Sequence, residues 1–176
     1  MMEKVSTMFT NEQVTKRIEE LAKLINDAFN GENELIAICT LKGASMFFCD
    51  LVKKINVPLK FEFVKLSSYG SGTTSSNKFE NVSLNLPDLN GKNVLLVEDI
   101  VDTGNTLAFL NDYFTNKYNL KNYKTIALLN KPSRRKTTID ADFYGFEIED
   151  KFVVGYGLDY DQRYRNLDYI GELSFE

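Results

Sequence analysis

Residues 95–107 read Leu95-Leu96-Val97-Glu98-Asp99-Ile100-Val101-Asp102-Thr103-Gly104-Asn105-Thr106-Leu107. The apolar run begins at Asn93 and is short and continuous, as in a strand buried on both faces. It delivers Glu98, Asp99 and Asp102 to its carboxyl end. The turn Thr103-Gly104-Asn105-Thr106 then opens a segment, Thr103–Tyr118, that reads as a helix. Such a turn offers unpaired backbone N–H groups and the positive end of a helix dipole, which together suit a phosphate. Gly104 lets the backbone approach an anion, and Thr103 and Thr106 add hydroxyl donors. Glu98 and Asp99 cannot serve a phosphate. They can accept hydrogen bonds from vicinal hydroxyls or hold a divalent cation through oxygen. Asp102 lies between the two regions, placed for proton transfer. An isolated Asp-x-Gly-x-Thr could equally be a helix capped by Asp102 or Thr103. The apolar run and the Glu-Asp pair ahead of it favour the functional reading.

The chain on either side repeats the strand–helix pattern. Thr10 and Gln13 form a capping box ahead of the stripe Val14, Ile18, Leu21, Ile25, Ala28, and Gly31 is a suitable stop. Leu35–Cys39 reads as a second buried strand, and Ala44–Ile55 as a second helix. Pro58 breaks the chain. Leu59, Phe61 and Phe63 then alternate with Lys60 and Glu62 at strand period. Ser67–Asn77 is poor in apolar residues and reads as a mobile loop flanked by a strand pair. Tyr123–Leu129 and Phe152–Tyr156 read as further strands. The expectation is one domain over residues 1–176, of α/β class, with a mainly parallel sheet flanked by helices and ligands at the carboxyl ends of the strands.

Composition removes whole classes of function. The formal net charge of -4 argues against nucleic acid as the main partner. The chain contains no His, which excludes Ser-His-Asp triads and His-ligated zinc. No apolar run reaches the ~18–20 residues needed to span a bilayer, and the first residues lack a signal-peptide core. A cytoplasmic protein is expected. Cys39 and Cys49 both sit in apolar stretches and are expected as buried, reduced thiols.

Five segments together resemble the type I phosphoribosyltransferases, and within them the hypoxanthine/guanine branch. They are residues 95–107, Leu41-Lys42-Gly43, Ser67-Ser68-Tyr69-Gly70, Lys131-Pro132-Ser133-Arg134-Arg135-Lys136, and Phe152-Val153-Val154-Gly155-Tyr156-Gly157-Leu158-Asp159-Tyr160 running on to Arg163-Tyr164-Arg165-Asn166-Leu167. The resemblance spans about residues 35 to 171 and keeps the family's order. It implies the type I fold, with a small hood and a flexible catalytic loop. It also implies transfer of a phosphoribosyl group from phosphoribosyl pyrophosphate (PRPP) to a 6-oxopurine, with Mg²⁺, in purine salvage. A homodimer or homotetramer is implied as well, with no nucleic-acid or membrane partner.

The resemblance assigns roles to residues. Glu98, Asp99, Asp102, Thr103, Gly104, Asn105 and Thr106 would hold the ribose and its phosphate, with Asp102 as general base at purine N7. Lys42 and Gly43 would hold pyrophosphate through a loop whose Leu41–Lys42 peptide can be cis, and Arg165 would grip the same group. Ser68 and Tyr69 would belong to the closing lid. Lys131 would donate to O6 of the purine, Phe152 would stack on it, and the Val153 carbonyl would accept from an exocyclic amine. Asp159 would bind Mg²⁺, with Glu98 and Asp99 as further candidates. Arg134, Arg135 and Lys136 read as a solvated basic turn that nothing brings to the base.

Three rivals deserve weighing. A PRPP-sensing regulatory module on the same fold should add a basic face or lose Lys131, and neither is seen. A transferase for adenine, orotate or uracil fits poorly with Lys131 and with residues 152–160. A signalling domain with an acidic Mg²⁺ pocket leaves Lys42, Asp159 and Arg165 unexplained.

Overall fold

The computed structural model describes residues 2–66 and 84–176. Five strands form a parallel sheet in the order β3-β2-β4-β5-β6. They are β2 (Leu35–Leu41), β3 (Leu59–Lys65), β4 (Asn93–Val101), β5 (Asn122–Asn130) and β6 (Phe143–Glu147). A second, antiparallel sheet in the order β1-β8-β7 makes a small hood from β1 (Glu3–Phe9), β7 (Val153–Val154) and β8 (Ile170–Phe175). The helices are α1 (Asn11–Ala28), α2 (Ser45–Val52) and α3 (Asn105–Lys117).

The apolar runs are continuous because both faces of the sheet are covered. Leu35, Ala37 and Cys39 of β2, with Leu95 and Val97 of β4, pack into a core shared with α1 and α2. The alternate residues Ile36, Ile38, Val94 and Leu96 pack into a second core with Leu107, Leu110 and Phe114 of α3. The α1 stripe is buried from Val14 to Ile25 as its period predicts, Ala28 is partly buried, and Thr10 and Gln13 form the expected capping box. Fully burying one such Leu or Ile is worth roughly 1.5–3 kcal/mol, so these two layers hold the strand ends in fixed register.

Several expectations need correction. The Phe residues of β3 do alternate, but Phe61 and Phe63 stay exposed and meet Phe48 of α2 edge-on, while Val64 is the buried member of the strand. The run Phe152–Tyr156 is a strand only at Val153–Val154, because Gly155, Tyr156 and Gly157 all take positive φ and turn the chain. Cys39 is buried, but Cys49 lies on the exposed side of α2. Of the strand pair expected around Ser67–Asn77, β3 is present before it. The loop itself lies outside the described residues, and Leu84–Leu89 beyond it form no strand. Among the described residues no helix is long and apolar enough to cross a membrane.

Candidate active site

The carboxyl ends of β2 and β4 and the start of α3 surround a cavity of about 400 Å³. Thr40, Leu41 and Gly43 line one side, Glu98, Asp99 and Asp102 another, and Thr103, Gly104, Thr106 and Leu107 the floor. Most of the 95–107 segment therefore reaches one space, as the strand–turn–helix reading predicts. Gly104, at φ +83, caps α3 with no side-chain hydrogen bond. A Cβ there would fall 2.3 Å from Thr137 Oγ1 and 2.8 Å from Arg135 Cδ, so no other residue fits this turn unstrained. The cap is thus neither Asp102 nor Thr103. Thr103 Oγ1 accepts from Asn105 N at 3.4 Å. The helix end keeps the open donors that attract an anion.

The three acids differ in environment. Glu98 is buried, and burial, followed by the neighbouring Asp99 charge, pushes its carboxyl up to about 8 against an opposing Thr40 hydrogen bond. Thr40 Oγ1 lies 2.7 Å from Glu98 Oε2 and 2.8 Å from the Val97 carbonyl. A hydroxyl has one proton, so Thr40 can donate to Val97 while accepting from a protonated Glu98. Glu98 Oε1 is buried with no hydrogen-bond partner. Burial also raises Asp99, whose Oδ1 accepts from Ile100 N at 2.7 Å. The Asp99 carboxylate packs directly on Gly43, where an added Cβ would fall 1.5 Å from Oδ2. Asp102 is half-buried, and its Oδ1 has no hydrogen-bond donor. Arg134 Nε stands 3.3 Å from that atom, an ion-pair distance without hydrogen-bond alignment.

The hood loops bring the other candidates alongside. The Leu41–Lys42 peptide is cis. Lys42 is exposed, and its Nζ donates to Gln162 Oε1 at 3.1 Å, which also accepts from Arg165 Nη2 at 3.3 Å. Arg165 Nη2 lies 2.8 Å from Asp159 Oδ1, and its Nε is buried without a partner. Asp99 feels both the Arg165 and the Asp159 charges. Lys131 is buried, with Nζ donating to the Lys151 carbonyl at 2.8 Å and 3.7 Å from Asp150 Oδ1. The next residue but one, Val153, is buried, whereas Phe152 is 50% exposed and meets Tyr160 edge-on. Lys42, Asn105, Lys131, Phe152, Val153, Asp159 and Arg165 do not line the cavity itself. Ser68 and Tyr69 lie outside the described residues.

One reading of the 131–136 turn fails: Arg134 and Lys136 are exposed as expected, but Arg135 is not solvated. Its guanidinium donates to the carbonyls of Asp102 (3.2 Å), Val101 (3.3 Å) and Ile139 (2.7 Å), and to Asn130 Oδ1 and Asp140. It ties the end of β4 to the end of β5 beneath the anion turn. Sequence reasoning also passed over Thr40 and Gln162. A lone Thr at a strand end gives no signal, and Gln162 was visible only as a neighbour of the acidic Asp159-Tyr160-Asp161 run.

The geometry invites comparison with known proteins. The Phosphoribosyl transferase domain family matches residues 4–161. The chain belongs to that family. It is 43% identical over 167 residues to the hypoxanthine-guanine phosphoribosyltransferase of Bacillus subtilis, covering 95% of this chain and 92% of that protein. It is 41% identical over 170 residues to the bifunctional protein TilS/HprT of Listeria innocua, covering 96% of this chain but only 26% of that longer relative. A crystal structure of a hypoxanthine-guanine phosphoribosyltransferase from Bacillus anthracis superposes with a TM-score of 0.86 at 37% identity, over 98% of this chain and 100% of that one. The parallel five-stranded sheet flanked by helices is the architecture shared with these phosphoribosyltransferases.

Among the described residues, no three metal-ligating side chains converge. Glu98 and Asp99 offer carboxyl oxygens at the end of β4, and Asp159 offers another, with Oδ2 accepting from Gln162 N at 2.9 Å and Oδ1 beside Arg165. This donor set fits a Mg²⁺ ion, which takes few protein ligands and keeps waters and substrate oxygens.

Proposed function

We propose that the chain transfers the 5-phosphoribosyl group of PRPP to hypoxanthine or guanine, giving IMP or GMP and pyrophosphate in purine salvage. The observation that carries the reading is the cavity at the ends of β2 and β4, where a bare helix N-terminus stands beside three carboxylates in different environments. The 5-phosphate sits in the turn Thr103–Thr106, taking hydrogen bonds from its N–H groups and hydroxyls. Asp99 accepts from a ribose hydroxyl, and Glu98 does so from its unpartnered side. This fixes the anomeric carbon, and orientation of this kind can supply several kcal/mol of the barrier. The bond from that carbon to pyrophosphate breaks as the bond to purine N9 forms. Asp102 takes the proton from N7, a contribution of about 10²–10⁴ in rate.

Pyrophosphate departs against the Lys42–Gly43 backbone and Arg165, whose free Nε–H can donate to it. Mg²⁺, held through Asp159, would neutralise charge on that leaving group. Lys131 donates to O6 and so rejects an amino group there. Phe152 lies on the base, and the Val153 carbonyl accepts from an amine such as that of guanine. A lid containing Ser68 and Tyr69 belongs to this proposal, as do a cytosolic location, where two free cysteines stay reduced, and a homodimer or homotetramer. Exposed Phe61, Phe63 and Met46 support self-association.

The test mixes protein, PRPP and MgCl₂ with hypoxanthine, guanine, xanthine or adenine, and follows nucleotide by absorbance. IMP and GMP should form, adenine should give nothing, and omission of MgCl₂ should stop turnover. A protein that binds PRPP yet makes no nucleotide from any oxopurine would be a sensor module instead.

A further inference from the structure

Three successive residues, Gly155, Tyr156 and Gly157, hold φ of +92°, +50° and +100°. Glycine takes such angles freely. A tyrosine does so at a cost, and strain of this kind persists where the surroundings over-determine it. Here the surroundings are specific. The Tyr156 ring is buried, and its hydroxyl donates to Asp50 Oδ2 on the last turn of α2. Asp50 also pairs with Lys53 at 2.6 Å. Burial works against the Asp50 carboxylate, but the Lys53 and Tyr156 hydrogen bonds outweigh it and keep the group below its ordinary range.

The backbone of the same turn faces the pyrophosphate half of the site. Gly157 lies against the Gly43 carbonyl so closely that a Cβ on it would stand 2.1 Å from that oxygen. Gly157 N donates to the Arg165 carbonyl at 3.0 Å, and Arg165 Nη1 donates back to the Gly157 carbonyl at 2.7 Å. Arg165 in turn holds Asp159. Asp99, Gly43, Gly157 and Arg165 therefore form one stack. The helix that carries Asp50 starts two residues after Gly43. The Tyr156–Asp50 bond closes a loop from the hood, through α2, back to the loop it rests on.

We propose that Tyr156 and Asp50 are positioning residues that hold the hood turn, with Arg165 and Asp159, in register against Lys42–Gly43, and so set affinity for pyrophosphate and for the pyrophosphate end of PRPP. This rests on the pyrophosphate assignment made above. Neither residue lines the cavity. Within the base subsite, Lys131 hangs on β5 and on the Lys151 carbonyl, outside the stack, while Phe152 leads into β7.

Tyr156→Phe and Asp50→Ala would be compared with the double variant and with Lys53→Ala. Asp50 is 41% exposed at its side chain, so its replacement reports even if Tyr156→Phe folds poorly. Each single variant should raise the PRPP KM and the pyrophosphate Kd about fivefold to tenfold, the worth of one hydrogen bond. The hypoxanthine KM should change less than about twofold on the same reasoning. The double variant should be no worse than either single, and Lys53→Ala should match the parent. Unchanged PRPP KM and pyrophosphate Kd with a lower Tm would overturn the inference, leaving a purely structural pair. Equal rises in both substrates' KM would also overturn it. Arg165→Ala separates the two layers: if it leaves pyrophosphate Kd unchanged, the pyrophosphate assignment itself falls. If it weakens pyrophosphate while Tyr156→Phe and Asp50→Ala do not, only the positioning role falls.

Discussion

Arg134 Nε stands 3.3 Å from Asp102 Oδ1, yet that oxygen receives no hydrogen bond. The guanidinium holds the carboxylate near a cation, and Oδ1 itself is buried. Asp102→Asn keeps the shape and loses the basic oxygen. Single-turnover kinetics should show transfer slowed about 10²-fold or more, at unchanged PRPP affinity. Arg134→Ala removes a half-exposed ion pair worth at most about 1 kcal/mol, so its rate should stay within about fivefold of the parent. If Asp102→Asn keeps full rate, N7 loses its proton elsewhere.

Glu98 carries the clearest pH signature. Its carboxyl is raised from 4.5 to about 8 in the folded protein, chiefly by burial. The native state therefore binds a proton that the unfolded chain has already released between those values. By linkage, stability falls as pH rises from about 4.5 to about 8. Glu98→Gln has no proton to lose. Urea midpoints of the metal-free protein should decline across that window for the parent and stay nearly level for the variant. Parallel curves would show that Glu98 ionises normally.

The two thiols should separate cleanly in a titration with an aromatic disulfide reagent. Burial above all, then the nearby Cys49, Glu98 and Asp99 charges, pushes Cys39 up to about 12, so it offers no thiolate near neutrality. Cys49 is exposed. One thiol should react in the native protein and two in denaturant. Cys49→Ser should abolish the native reaction and leave one slow thiol, released only by unfolding.

Arg135 should behave as a structural residue despite its basic neighbourhood. Replacing it takes the donor from the carbonyls of Asp102 and Ile139 and from Asn130 Oδ1, while the Val101 carbonyl keeps the Lys131 N–H. Arg135→Lys cannot match a planar fork. Both Arg135→Lys and Arg135→Ala should cost on the order of 3 kcal/mol in urea unfolding. A lysine variant of parental stability would mean that charge alone suffices here.

The strand–turn–helix at residues 93–107 was readable because every signal agreed: an apolar run buried on both faces, acids at its end, then a glycine turn. The same holds for α1, whose stripe and capping box are both local. What escaped was non-local. β1 reads Glu-Lys-Val-Ser-Thr-Met-Phe, and most of it is exposed; it is a strand because β8 lies beside it. β6 contains Gly145, which discourages a strand reading, but a Cβ there would fall 2.4 Å from the Leu128 carbonyl. The roles of Arg135, Thr40 and Gln162 depend on atoms far along the chain, and no local pattern announces them. Cys49 sits in an apolar stretch, yet its place on α2 turns it outward, which spacing over eight residues does not reveal.

The hood has a consequence for how the protein is made. Among the described residues β1 pairs only with β8, and Glu3 bonds to Tyr164, 161 positions later. A ribosome adding about 5–20 residues per second leaves β1 without its partner for on the order of ten seconds or more. The parallel sheet can gather in that interval, ahead of the hood. Until then a bare strand edge is presented to chaperones and to neighbouring nascent chains, and the pairing that ends this exposure also completes the cleft.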